Sequence, residues 1–107
     1  MKDNLNQRFW GMLSLSQKAG VLSVGESRAQ ETIRGGAAEL IILSADASDN
    51  TRKKFSDMAS YRDIPLITVA SRESLGNAIG RKFAVTVVVS DKGFADNLLK
   101  LYNSSVE

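Results

Sequence analysis

Apolar residues recur along the chain with two spacings, and the spacing separates predicted helices from predicted strands. Apolar positions three or four residues apart predict an amphipathic helix over residues 5–18. These positions are Leu5, Phe9, Met12 and Leu13. Residues 40–43 are instead apolar at every position, which is typical of a strand that helices cover on both faces.

The remaining segments alternate between the same two patterns. Strands are predicted at 21–24, 66–69 and 85–89, and helices at 26–34, at 50–61, from Ser71 to Gly80, and over Phe94 to Tyr102. Residues 103–107 are expected to fray. Nine elements in the order α-β-α-β-α-β-α-β-α predict crossover connections and a largely parallel sheet between two layers of helices.

Small residues mark the predicted ends of the helices. Gly20 stands where a left-handed residue would end the first helix, and Gly80 where one would end the fourth. Ser71 precedes the fourth helix as an N-cap candidate. Gly76 lies inside that helix, and two interpretations stay open: it packs closely against a neighbour, or it lets the following loop approach a ligand.

Length and composition narrow the class of protein. The chain has 107 residues, 43% of them hydrophobic, which predicts one domain over residues 1–107. It has no Cys and no His, which excludes disulfides, a thiol nucleophile, an imidazole base and His-ligated zinc. No cofactor or metal is expected. Residues 1–4 open no apolar run and no stretch is long enough to span a bilayer, so we expect a soluble, cytoplasmic protein without membrane contact.

Two segments carry candidate binding chemistry. Gly25 precedes a predicted helix whose first N–H groups suit an anion, and Ser27 and Arg28 occupy its first turn, either solvated or reaching into a groove. Arg81 and Lys82 stand beside Phe83, and two bases next to an aromatic ring suit a phosphate backbone with a base stacked on it. Phe83 is alternatively a core residue at the start of a strand.

Other charged residues have a structural and a functional interpretation. Residues 52–54, Arg-Lys-Lys, form the densest basic run, which is either a solvated helix face or a contact to phosphates. Arg34 precedes two glycines that are typical of a helix end. Asp46 and Asp49 follow a strand, where they suit a magnesium pocket or, more simply, the cap of the next helix. The net charge is only +2, so any nucleic-acid surface must come from local clustering.

Four segments together resemble one known family. They are residues 13–20 (LSLSQKAG), residues 25–47, residues 64–67 (IPLI) followed by 75–80 (LGNAIG), and residues 91–95 (DKGFA). In order and spacing they are similar to the kink-turn-binding ribosomal L7Ae/L30e family, in particular its bacterial YlxQ-type branch, over residues 5–99. The resemblance implies RNA binding without catalysis. It also implies a three-layer α/β/α sandwich with a four-stranded mixed, largely parallel sheet and five helices.

The resemblance also implies particular contact residues. At the start of the second helix, the family's Asn or Lys, its Glu or Gln, and its Lys fall on Ser27, Arg28 and Glu31. This chain departs from the family at all three positions, and Glu31 reverses a charge that would face phosphate. The family's loop that clamps a flipped-out nucleotide falls on residues 81–83. A basic contact falls on Arg72, and an apolar contact of the third helix falls near Arg52.

Two functions follow as hypotheses. The first is a non-catalytic, monomeric, ribosome-associated protein that binds structured RNA, ribosomal RNA among the candidates. Its expected RNA-binding residues are Gly25, Ser27, Arg28, Glu31, Arg34, Arg52, Arg72, Arg81, Lys82 and Phe83. The second is a protein-interaction module that keeps the fold but has lost kink-turn specificity, which the departures on the second helix favour. A small enzyme is disfavoured, because the chain lacks His, Cys and a phosphate-binding glycine fingerprint.

Overall fold

The computed structural model describes Leu5 and residues 7–104, and over that part of the chain five helices alternate with four strands. In chain order they are α1 (Gln7–Lys18), β1 (Leu22–Val24), α2 (Glu26–Arg34), β2 (Leu40–Ser44), α3 (Asp49–Arg62), β3 (Leu66–Val69), α4 (Arg72–Ala78), β4 (Thr86–Val89) and α5 (Lys92–Ser104). The predicted order of elements is confirmed. Residues 1–4, whose pattern argued against a signal peptide, and 105–107 of the expected frayed tail lie outside the described residues, while α5 continues to Ser104.

The four strands form one mixed sheet in the spatial order β1-β4-β2-β3. The strands β1, β2 and β3 run in the same direction, as a largely parallel sheet requires. The strand β4 runs the opposite way and lies between β1 and β2. Two of the three pairings are therefore antiparallel, and β2 with β3 is the parallel one.

Helices cover both faces of the sheet and confirm the three-layer architecture. The helices α1, α4 and α5 pack on one face, and α2 and α3 on the other. Every residue of β2 is buried, and its side chains alternate between the layers. Leu40 and Ile42 join the core under α1, α4 and α5, whereas Ile41 and Leu43 join the core under α2 and α3. The uninterrupted apolar run at 40–43 is thus a strand buried on both faces.

The helix ends follow the small residues, with one correction. Gly20 has φ +76° and ends α1, and Ser71 caps α4 by accepting a hydrogen bond from the Ser74 N–H at 3.1 Å. The prediction that Asp46 and Asp49 cap α3 is wrong. Ser48 is the N-cap, because its Oγ accepts from the Thr51 N–H at 3.2 Å and leaves no place for a carboxylate there.

The reversed direction of β4 brings four chain segments to one edge of the sheet. The strands β1, β2 and β3 end at this edge, where α2, α3 and α4 begin. Because β4 runs the opposite way, it starts at the same edge, and residues 80–85 before it lie beside the three helix N-termini. In the described part of the chain, no helix is long and apolar enough to cross a membrane.

Two aromatic residues of α3 should differ sharply in their contribution to stability. Phe55 is fully buried under α2 and α3, and Phe55→Ala should lower the free energy of unfolding by about 3–5 kcal/mol. Tyr61 is 86% exposed, and Tyr61→Ala should change it by less than about 0.5 kcal/mol. Urea unfolding of both variants measures the difference, and equal effects would contradict this packing.

Candidate nucleic-acid interface

A cleft of about 410 Å³ opens at the edge of the sheet where the helices begin. Four of the residues predicted from the sequence line it, and they come from three separate parts of the chain. They are Gly25, Arg72, Arg81 and Phe83. The structure therefore brings together the first turn of α2, the start of α4 and the loop before β4, which the sequence places up to 58 residues apart.

Gly25 gives α2 an N-terminus without a side-chain cap. Its φ of +98° is a conformation that residues with a Cβ rarely adopt, and its N–H donates to the Thr86 carbonyl at 3.0 Å. The N–H groups of Glu26, Ser27 and Arg28 find no acceptor among the described residues. Unpaired N–H groups and the positive end of the helix dipole suit an anion at this end of the cleft.

The loop before β4 is fixed to α4 through its backbone. The Arg81 N–H donates to the Gly76 carbonyl at 2.9 Å, and the Ala84 N–H donates to the Arg72 carbonyl at 2.9 Å. Between these bonds, a Cβ at Gly76 would lie 2.4 Å from the Cα of Phe83. Gly76 therefore packs closely against a neighbour, and that neighbour is the loop itself.

This packing turns the ring of Phe83 outward. With its backbone against Gly76, Phe83 is 59% exposed and lines the cleft, so its interpretation as a core residue is wrong. The apolar core at this point is completed by Ala84, which is buried. An exposed aromatic ring held by a rigid backbone is a surface on which a flat ligand group can stack.

Arg72 is held in place by Asp46 from the preceding loop. Its Nη2 donates to the Asp46 carbonyl at 2.8 Å, and its Nε lies 3.3 Å from Asp46 Oδ2. The neighbouring hydroxyl of Ser44 lowers the pKa of the Asp46 carboxyl, although its Oγ makes no hydrogen bond of good geometry within the described residues. The backbone N–H and guanidinium of Arg72, which do contact Asp46 Oδ2, lower this pKa further, whereas slight burial acts the other way. Part of the charge of Arg72 is thus balanced inside the protein.

The remaining predicted contacts on α2 and in the loop are exposed but do not line the cleft. They are Ser27, Arg28, Glu31 and Lys82. Arg28, Arg81 and Lys82 make no ion pair or side-chain hydrogen bond within the described ranges, so their charges are available to a ligand. Glu31 is likewise an exposed carboxylate without such a partner.

Arg34 and Arg52 use their guanidinium groups within the protein. Arg52 Nη2 donates to the carbonyls of Ala45 and Ala47 at 3.2 and 3.0 Å, and so holds the loop between β2 and α3. Arg34 Nη2 donates to Gln30 Oε1 at 3.0 Å at the far end of α2. The structure does not bring these two residues to the cleft, and their role in RNA binding stays a prediction.

Three residues at the starts of helices line the cleft and were not predicted as site residues from the sequence. Ser48 and Thr51 reach the cleft from the first turn of α3, and Glu26 reaches it from α2. The place of Ser48 in the same cleft as Gly25 depends on the order of strands in the sheet. Glu26 binds Lys54 Nζ at 2.8 Å, so the basic run of α3 neutralises the carboxylate of the cleft.

Two of the acidic residues that follow strands have structural partners. Asp46 binds Arg72, and Asp91 Oδ2 accepts from the Phe94 N–H at 2.9 Å at the start of α5. Over Leu5 and residues 7–104, no three His, Cys, Asp or Glu side chains come together as ligands of a metal ion would. The magnesium pocket considered from the sequence therefore lacks a ligand set in this part of the chain.

Substitutions at two helical glycines should separate the close contact of Gly76 from ordinary helix propensity. Gly76→Ala forces the loop away from α4 and should lower the free energy of unfolding by about 1–3 kcal/mol. Gly11→Ala in α1 meets no atom within 4 Å and should raise it by up to about 1 kcal/mol, because alanine favours helix. Opposite signs in urea unfolding are expected; a stabilising Gly76→Ala would contradict the contact.

The pairing of Arg72 with Asp46 should be visible in an acid titration. Arg72→Gln should raise the pKa of Asp46 toward its ordinary value without reaching it, because the backbone N–H at position 72 still donates to Asp46 Oδ2. Since the folded pKa lies below the unfolded one, the pair stabilises the fold above the unfolded pKa, and this contribution is lost as pH falls through the folded pKa. Carboxyl chemical shifts followed by NMR measure the shift, and an unchanged Asp46 would contradict the pairing.

Comparison with known proteins places the chain among proteins of similar size. It is 40% identical to the RNA-binding protein YlxQ of Bacillus subtilis over 90 residues, which cover 84% of this chain and 90% of that one. A solved structure of a protein with unknown function from Bacillus halodurans C superimposes with a TM-score of 0.89. The two share 34% identity, and the match covers 92% of this chain and 99% of the other.

A more distant solved structure shares the fold. The Giardia lamblia 15.5kD RNA binding protein superimposes with a TM-score of 0.75 at 16% identity, over 94% of this chain and 89% of the other. Residues 8–99 match the model of the family described as ribosomal protein L7Ae/L30e/S12e/Gadd45. With most of its length matched by that model and by a relative at 40% identity, the chain belongs to the ribosomal protein L7Ae/L30e/S12e/Gadd45 family.

Proposed function

We propose that this protein binds structured RNA, without catalysing a reaction, through the cleft at the N-termini of α2 and α3. The single observation that carries the proposal is the meeting, in one cleft, of an uncapped helix N-terminus, an unpaired arginine and an exposed aromatic ring. These belong to Gly25, Arg81 and Phe83. Together they match the two parts of a nucleotide. The helix N-terminus and the arginine form an anion site for its phosphate, and the ring is a flat surface for its base.

Each part of the cleft has a distinct role in this proposal. The free N–H groups of α2 and the side chains of Arg81 and Lys82 neutralise phosphates. Phe83 stacks on an unpaired base, and its fixed backbone reduces the ordering cost when the base arrives. Arg28 projects from the first turn of α2 as a donor to base edges or to phosphate.

The known proteins support RNA as the ligand and leave its identity to experiment. One relative is named an RNA-binding protein, and the family description begins with ribosomal proteins. Association with ribosomes is therefore part of the proposal. Recognition of kink-turns is not, because Ser27, Arg28 and Glu31 replace all three residues that the family places in the RNA groove.

A second candidate function rests on Glu31. This carboxylate is exposed on α2 and has no ion pair within the described residues, so it opposes phosphate on that face. A basic partner protein would instead be attracted to it. In that case the same face of α2 is a protein-interaction surface, and the protein keeps the fold of the family.

Charge reversal in the loop should distinguish these functions. Arg81→Glu with Lys82→Glu should abolish binding to structured RNA, because two phosphate contacts become repulsive. For the unmodified protein, three to four phosphate contacts predict that log affinity falls with log salt with a slope of about −2 to −3. Filter binding to deproteinised bacterial ribosomal RNA at several salt concentrations measures both quantities.

A matched control keeps the net charge change the same. Lys18 and Lys92 lie near the opposite edge of the sheet, and Lys18→Glu with Lys92→Glu should leave most of the RNA affinity in place. Equal losses of RNA affinity in both double variants would indicate that the RNA is attracted nonspecifically by charge and is not bound in the cleft. RNA binding that is unchanged by the loop variant, or a stable complex with a protein through α2, would favour the interaction module.

A further inference from the structure

A second basic groove lies between α2 and α3, next to the cleft. It has a volume of about 490 Å³, and its lining includes Arg34, Lys54, Tyr61 and Arg62. The cleft and the groove meet at one ion pair, because Lys54 lines the groove and its partner Glu26 lines the cleft. A nucleic-acid strand bound in the cleft can therefore extend into the groove past this ion pair.

Tyr61 is the most unusual residue of this groove. It is 86% exposed, more than either Phe83 or Leu15, the other large hydrophobic residues found exposed in the described part of the chain. The packing of α3 does not need the ring, because Phe55 and Ala59 supply its buried side. The guanidinium carbon of Arg62 lies 6.0 Å from the centre of the ring, so a cation accompanies the exposed face.

The charges of the groove favour an anionic ligand. Asp57 is its one carboxylate among the described lining residues, and it binds Lys53 Nζ at 2.9 Å. Arg34 and Arg62 have no acidic partner in the part of the chain that the structure describes. Each lies in the last turn of its helix, where a cation is favourable, but the helix dipole does not account for an exposed ring between them.

The part of α3 that runs from the cleft to the groove fits a short length of RNA. Thr51 in the cleft and Tyr61 in the groove are ten residues apart on α3, which is about 15 Å along a helix. Roughly four stacked nucleotides span that length at about 3.4 Å each. Phe83 lines the cleft and Tyr61 lines the groove, so the two rings belong to adjoining surfaces.

We infer that the groove is a second RNA contact, in which a base flanking the segment held in the cleft stacks on Tyr61 while Arg34 and Arg62 bind the adjoining phosphates. The inference rests on the proposed function in taking RNA as the ligand. It adds a site to that function, so that single-stranded nucleotides next to the structured element contribute to affinity.

Crosslinking can locate both contacts in one experiment. The protein is irradiated in complex with deproteinised bacterial 23S ribosomal RNA, digested with nuclease and trypsin, and searched by mass spectrometry for nucleotide adducts. Tyr61 and Phe83 fall in different tryptic peptides, residues 55–62 and 83–92. Adducts at Tyr61 and Phe83 are expected. Adducts at Phe83 without Tyr61 would overturn the groove and leave the cleft, adducts at Tyr61 without Phe83 would overturn the cleft, and adducts at neither would overturn both.

Variants in the groove give an independent measurement. Tyr61→Ala should weaken binding to the same RNA about tenfold by removing one stacked base, and Tyr61→Trp should retain it. Arg62→Gln should make the salt slope less steep by nearly one, whereas Lys92→Gln, an equal loss of charge on α5, should not. Because these side chains are exposed, we expect the variants to fold, so weak binding would report on the contact itself. Full affinity in Tyr61→Ala would overturn the inference.

Discussion

The direction of β4 is the constraint on which the cleft depends. If this strand ran parallel to its neighbours, the loop before it would lie at the opposite edge of the sheet, far from the N-termini of α2 and α3. Because β4 is antiparallel to both β1 and β2, its preceding loop lies at the edge where these helices begin. Gly76 then sets the position of that loop within the edge, through a contact that leaves no room for a side chain.

The distribution of charge within the fold explains how a protein with a net charge of only +2 has a basic surface. Three acidic residues near the basic surface are paired, Asp46 with Arg72, Glu26 with Lys54, and Asp57 with Lys53, whereas Glu31 is not, within the part of the chain that the structure describes. Exposed pairs of this kind contribute little to stability. Their consequence here is electrostatic, because a carboxylate that is already paired competes less with RNA for the unpaired cations around the cleft and groove. A modest total charge is thus compatible with a locally basic face.

The order and type of the elements could be read from the sequence because the local patterns are strong. The apolar run at 40–43 indicated a strand covered on both faces, and α2 has the predicted bounds. The exposure of Phe83 could not be predicted in this way. It depends on a contact with Gly76, and an aromatic residue at the start of a strand is equally compatible with burial.

Residues distant in the sequence were harder to assign to the site. Ser48 and Thr51 join Gly25 only because β2 lies next to β4 in the sheet, which no local pattern encodes. Tyr61 was recognised as the end of a helix, but amphipathic spacing does not reveal that the neighbouring helix contributes Arg34 to the same groove. The resemblance to a family supplied Arg72 and residues 81–83, and gave no indication of the second groove.

The length of α3 sets the separation of these two surfaces. The helix is fixed to the sheet by Phe55 and Ala59, and it carries Thr51 toward one surface and Tyr61 toward the other. One inserted or deleted residue between them would change their separation by about 1.5 Å and turn one relative to the other by about 100°. The helix therefore fixes both the distance between Thr51 and Tyr61 and their relative rotation about the helix axis. Exchanging an exposed side chain within the helix leaves this geometry unchanged, whereas a change in its length would separate the two surfaces as parts of one site.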